Sequence, residues 1–198
     1  QGRFSITMPL LNSMEVILEW NEDDEYATVM EPGKTYYFLH DGKTGQTLWM
    51  GDDVRVQNEL VAVKMNEAST YVNKTPLGTL DAMKFWGVAD SVRQVNDVGL
   101  EKAMKEHPNL SQRFIDFKKG YYQTEQGRDM IQAQFFTYPP YQLPKEYLDY
   151  VGREFWKKAI KPYTLYRDFS SFMDDYLDHI MRNRTWNVNW KYSDYFHT

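Results

Sequence analysis

Apolar and polar positions alternate along the first fifty residues. Phe4, Ile6 and Met8 alternate with Arg3, Ser5 and Thr7, and Met14, Val16, Leu18 and Trp20 repeat the pattern opposite Glu15 and Glu19. A period of two marks a half-buried strand, and Pro9 closes the first. The acidic run 21–25 reads as a solvated turn, residues 26–30 as a third strand, 34–40 as a fourth and 46–50 as its return. Glu31-Pro32-Gly33 suits a type II turn, because proline pre-sets φ and glycine supplies the positive φ after it. Residues 41–45 form a glycine-containing hairpin loop. The spacing predicts an antiparallel β module.

The period then changes. An aspartate of Gly51-Asp52-Asp53 is placed to cap a helix over 54–66, with Val54, Val61 and Met65 on one face. The β-branched residues there leave a strand as the alternative. Residues 67–75 read as a linker, and Pro76 suits the first turn of the next helix. Ala82, Phe85, Ala89 and Val92 fall at helical spacing, and Leu100, Ala103 and Met104 continue past a weak point at Gly99. His107-Pro108 ends that segment, and Asn109 with Gln112 resembles a capping box. Phe114, Phe117, Tyr121, Ile131 and Phe135 predict another helix or a broken pair, interrupted by Tyr138-Pro139-Pro140. Pro144 opens a helix with Leu148, Val151 and Phe155 inward. After Pro162, Phe169, Phe172, Met173, Tyr176, Leu177 and Ile180 make the cleanest amphipathic stripe. Trp186, Val188, Trp190 and Tyr192 then alternate with Asn187, Asn189 and Lys191, predicting a strand that returns to the edge of the N-terminal sheet.

Strands first and helices afterwards give an α+β chain. The expected layout is an N-terminal antiparallel sandwich-like module with an exit helix (1–66), a helical module (67–184) and a C-terminal returning strand (185–198). A chain of 198 residues buries about 70% of its unfolded surface, enough for a core without staples. Its 42% hydrophobic and 26% charged residues exclude a disordered chain. No stretch approaches the ~20 apolar residues of a membrane span. A net charge of −5 without a Lys/Arg block argues against nucleic acid. The cysteine count is zero, which removes disulfides, thiolate nucleophiles and Cys-ligated metals. The start at Gln1 suggests that a segment upstream has been removed.

Motifs for nucleophilic catalysis, phosphate cradling or zinc proteolysis do not occur, so no catalytic, cofactor or metal residue is assigned. His40-Asp41 sits beside a hairpin, where such a pair is usually structural. Asp174, Asp175, Asp178 and His179 cluster on the last helix, with Asp175 and His179 one turn apart. That spacing suits a metal or a His–carboxylate pair, but it also describes the solvated face opposite the Phe169–Ile180 stripe. Glu101, Lys105 and Glu106 read as helix-surface pairs. Sequons at Asn73, Asn109 and Asn183 are short patterns that matter only in a eukaryotic secretory protein. Aromatic residues reach 16%, and Tyr and Trp suit half-wet surfaces. Tyr138, Tyr141, Trp186 and Trp190 are the candidate interaction surface, with packing onto the core as the competing explanation.

Three segments together resemble a known family. Gly2-Arg3-Phe4-Ser5-Ile6, Glu31-Pro32-Gly33-Lys34-Thr35-Tyr36 and the run from Met50-Gly51-Asp52-Asp53 to Asn58-Glu59-Leu60 occur in the family's order. They are similar to the accessory β domain that precedes thioredoxin-like modules in TlpA-type proteins of the bacterial envelope. Pro162-Tyr163-Thr164-Leu165 and Phe172-Met173-Asp174-Asp175-Tyr176 are similar to the helical stretch before that module. The family's Cys-x-x-Cys has no counterpart here, so no catalytic residue carries over. The resemblance implies a non-catalytic accessory domain, periplasmic or otherwise extracytoplasmic, that positions or binds a protein partner for a redox module outside this chain. Within it, Glu31-Pro32-Gly33 and Gly51 would form turns and Asn58 would hold the sheet–helix junction. The alternative is a stand-alone extracytoplasmic module that binds a glycan or peptide on an aromatic surface. No cofactor is expected, and an open sheet edge makes dimerisation by edge pairing an expectation.

Overall fold

Two antiparallel hairpins open the fold. β1 (Met14–Glu19) pairs with β2 (Glu25–Met30), and β3 (Tyr36–Asp41) pairs with β4 (Gln46–Gly51). The computed structural model describes residues 4–19, 25–70, 80–136, 143–157 and 164–185. Among these, five α-helices follow the strands: α1 (Arg55–Ala62), α2 (Ala82–Glu106), α3 (Gln112–Gln132), α4 (Lys145–Val151) and α5 (Arg167–Thr185). A 3-10 turn (Ala133–Phe136) extends α3, and a wide π turn (Gly152–Trp156) extends α4. The chain is α+β, with strands and helices segregated along the sequence as the periodicity implies.

The hairpins owe their shape to a few turn residues. Gly33 at φ 71° follows Pro32 between β2 and β3, and Gly45 at φ 68° closes the β3–β4 loop. Gly51 has φ 119°, and a side chain there would overlap the Thr35 carbonyl. Only glycine fits that approach. Asp52 locks the same corner: its N–H donates to Thr35 O at 2.9 Å, and its carboxylate accepts the Thr35 N–H at 3.0 Å.

Asp52 is therefore spent on the strand corner, and the expected aspartate cap of α1 does not form. The N-cap is Val54, with no side-chain hydrogen bond. The buried face of α1 also differs from the expectation. Val56 and Gln57 point inward, Leu60 packs beside them and Val63 follows, because α1 lies on β2: Gln57 Nε2 donates to Val29 O at 2.7 Å, and the Tyr26 hydroxyl donates to Gln57 O at 3.2 Å. The capping box placed at Asn109 shifts by two residues as well. Ser111 caps α3 by accepting the Phe114 N–H at 3.1 Å, and Glu59 from α1 grips Ser111 through its N–H and hydroxyl.

Residues 4–8 carry the alternation of a strand but form none. Phe4 is 74% and Ile6 71% exposed. Alternation describes a face, and no strand among the described residues offers that face a partner. The outer edge of β1 is taken instead by Leu165, which bridges it in parallel: Glu15 N–H donates to Leu165 O and Leu165 N–H to Ser13 O, both at 2.8 Å.

The helices enclose two apolar centres. One gathers Phe85 and Ala89 of α2, Met130 and Ile131 of α3, Tyr147 and Val151 of α4, Phe155, and Phe172 of α5. The other gathers Val29, Val56, Leu100, Phe114, Phe117, Tyr122 and Tyr166. Helices α2 and α3 run through both, with α2 unbroken at Gly99. On α5 the stripe holds at Phe169, Phe172, Tyr176 and Ile180, but Leu177 is exposed and His179 is buried. The expected returning strand at 185–198 and the helix start at Pro76 lie outside the described residues, apart from Thr185, which ends α5.

Candidate functional site

Two places combine chemistry with accessibility or charge. The first is the outer face of the β3–β4 hairpin. Tyr36, Phe38 and His40 alternate with Tyr37, Leu39 and Asp41, so one set turns in and the other turns out. The inward set meets Trp49, whose ring centroid lies 4.7 Å from Phe38 and 6.2 Å from Tyr36, with Tyr26 of β2 behind it. The register places Tyr37 opposite Met50 and Leu39 opposite Leu48. These four outward residues therefore form two adjacent cross-strand pairs on one face, and they are 45–58% exposed. Directly opposed side chains approach closely enough to make one patch.

The second place is an ionic joint where β1, the 67–70 segment, α3 and the start of α5 meet. Arg128 of α3 binds Asp129 at 2.7 Å and also binds Asp168 at the start of α5. Thr70 donates to Asp129 at 2.5 Å. Glu67 accepts from Lys118 at 2.8 Å and from the Tyr122 hydroxyl at 2.7 Å. Glu15 of β1 accepts the Arg167 N–H at 2.8 Å. Glu125 stands on α3 one turn before Asp129. Burial first, and then the Asp129 charge, pushes its carboxyl up to about 7. Burial works against the charge on Arg128, but Asp129 and Asp168 more than offset it and hold the guanidinium protonated. Burial also lifts Asp129 and Glu15 above the ordinary carboxylate range, against the groups that bind them.

The chemistry read from spacing resolves differently. His40 and Asp41 are neighbours in a strand and so face opposite ways. His40 Nδ1 lies 3.1 Å from Thr47 Oγ1 on the inner face. Asp41 organises the hairpin loop by accepting from Lys43 N–H and the Thr44 hydroxyl, and those bonds hold its carboxyl below the usual range. His179 is buried rather than solvated, and its Nδ1 lies 3.3 Å from Gln134 Oε1. Asp175 turns to a different amide, accepting from Gln132 Nε2 at 2.8 Å. The one-turn spacing of Asp175 and His179 therefore brings no pair together. Among the described residues no cluster of three or more His, Asp or Glu has the geometry to hold a metal ion.

Tyr138, Tyr141, Trp186 and Trp190 lie outside the described residues. The β3–β4 face was not singled out from the sequence, although Tyr36-Tyr37-Phe38-Leu39 carried the signal: a strand with large apolar residues on both faces exposes one set unless both are covered. The ionic joint left no signal, because Glu15, Glu67 and Asp168 are far from α3 in the chain. No helix among the described residues is long and apolar enough to cross a membrane. Comparison with protein-family models, curated proteins and solved structures gives no match to this chain.

Proposed function

We propose that this chain is a non-catalytic accessory module of the TlpA type, acting in the bacterial envelope to hold a protein partner for a redox module outside this chain. The observation that carries the reading is the outer face of β3–β4. Tyr37, Leu39, Leu48 and Met50 present an apolar patch with no charged side chain inside it. Such a patch on a rigid hairpin suits a protein partner whose contacting surface is itself apolar. The hairpin is fixed from behind by Tyr26 of β2, packed on Phe38 and Trp49, and from the side by Asn58, so docking would need little reordering. The ionic joint fits the same reading as a structural tie, since Arg128, Lys118, Tyr122 and Thr70 are committed to its carboxylates. A chain without cysteine performs no dithiol exchange, so redox chemistry would belong to the linked module.

The test is the intact mass and free-thiol count of the native gene product. A product longer by about one domain, with two titratable thiols, supports the reading. A thiol-free product ending at Thr198 overturns it.

A further inference from the structure

The ionic joint holds more carboxylates than cations. Glu125 is faced on its own helix by Tyr121, Tyr122, Arg128 and Asp129, with Lys118 two turns earlier. Glu67 faces it from the 67–70 segment and Asp168 from α5, and Glu15 of β1 lies in the same neighbourhood beside Arg167. Five carboxylates thus share two largely enclosed basic side chains, Arg128 at 14% and Lys118 at 16% side-chain exposure; Arg167 is 56% exposed. Arg128 is engaged by Asp129 and Asp168, and Lys118 by Glu67. Among the described residues no hydrogen bond or ion pair reaches the Glu125 carboxyl.

We propose that this joint is a proton-operated latch, closed while Glu125 is protonated and loosened when it ionises beside Asp129 and Asp168. The closed state ties the start of α5 to α3 through Arg128–Asp168, and to β1 through Leu165 and the Glu15–Arg167 bond. A negative Glu125 puts a third carboxylate beside the guanidinium that serves the other two. Like charges in an enclosed site repel strongly. The relief falls on the bonds between the short 164–168 strap and β1, two backbone bonds and the Arg167 N–H on the Glu15 carboxylate, because Tyr166 of the strap stays anchored in the core with its hydroxyl on Phe117 O.

The sign follows from linkage. An unfolded glutamate titrates near ~4.3, and Glu125 in the folded joint at about 7. Its contribution to the closed state is complete below the lower value and is lost as pH rises through the upper one. Amide hydrogen exchange at Glu15, Leu165 and Arg167, corrected for the intrinsic rate, reads the latch directly. Between pH 5.5 and 8.5 the wild-type protection at these amides is expected to fall by about tenfold or more, since one unit of coupled shift is tenfold in the opening constant. Glu125→Gln is expected to hold its protection across the range. Constant wild-type protection, or a parallel fall in the variant, overturns the latch. A carbon-13 titration of the wild-type Glu125 carboxyl decides independently of the variant's folding: a midpoint near ~4.3 overturns it.

Discussion

Asn58 closes the outer edge of β4 by binding both backbone groups of Trp49. Its Oδ1 accepts the Trp49 N–H and its Nδ2 donates to the Trp49 carbonyl, each at 3.0 Å. Alternate residues of an edge strand point these groups away from their partner strand, and one side-chain amide here replaces the missing neighbour. Asn96 repeats the device on Ala68, at 2.7 and 3.0 Å. Each asparagine thereby fixes a non-helical segment to a helix.

Replacing Asn58 with alanine should cost about 1–3 kcal/mol, because two backbone groups lose their partners in a half-buried place. Asn96→Ala should cost more, since Asn96 is 2% exposed and water cannot substitute. Urea unfolding of the two variants gives the comparison. Equal, negligible losses would mean that the amides contribute nothing.

Glycine substitutions should divide by environment. Gly51→Ala combines a φ of 119° with overlap of the Thr35 carbonyl, and should lose about 1–3 kcal/mol. Gly120→Ala drives a methyl into the Tyr166 hydroxyl, which is held by Phe117 O at 2.9 Å; overpacking of that kind costs about 1–3 kcal/mol. Gly87→Ala meets open space on an exposed turn of α2, and should gain about 0.5–1 kcal/mol from helix propensity. Thermal unfolding should rank the three in that order of sign.

Arg128→Met should be among the most damaging single changes. It strands Asp129, 1% exposed at its side chain, and leaves Asp168 only the exposed Arg167, 3.8 Å away. Removing one partner of a buried ion pair typically costs about 3–5 kcal/mol. The loss should shrink as acid neutralises Asp129, whose carboxyl burial already holds above the ordinary aspartate value. Unfolding of variant and wild type at pH 4.5 and 7.5 tests the magnitude and the direction.

The outer face of β3–β4 should behave as a surface for binding rather than for folding. Tyr37→Ser with Leu48→Ser removes half of one cross-strand pair and half of the other. Each change should alter stability by no more than about 0.5 kcal/mol, while reducing chemical cross-linking to the protein partner that the proposed function assigns to this face. A double variant that unfolds would place the face in the core instead.

Much of the element order was legible along the chain. The period of two at Met14–Leu18, the Pro32-Gly33 turn and the helical spacing of Phe85, Ala89 and Val92 are local signals, set by which side chains must share a face. The turn role of Gly33 was legible too, because turn geometry involves adjacent residues, whereas the roles of Gly51 and Asn58 came with the family resemblance. The same local logic failed where a distant group competed. Asp52 was taken by Thr35 before it could cap α1, and Ser111 displaced Asn109 as a cap because Glu59 reaches it from 52 residues away.

The sequence by itself determined the α+β class, the hairpins and helices, and the absence of thiol chemistry. Tertiary structure alone decided which apolar face of β3–β4 stays exposed, that residues 4–8 find no strand to pair with among the described residues, and that His179 turns inward to Gln134. It also assembled Glu15, Glu67, Glu125, Asp129 and Asp168 around Arg128 and Lys118 from four separate stretches. Periodicity reports what each element needs to bury, whereas the field at a carboxyl depends on the charges that packing brings beside it. That second quantity exists only once the chain has folded.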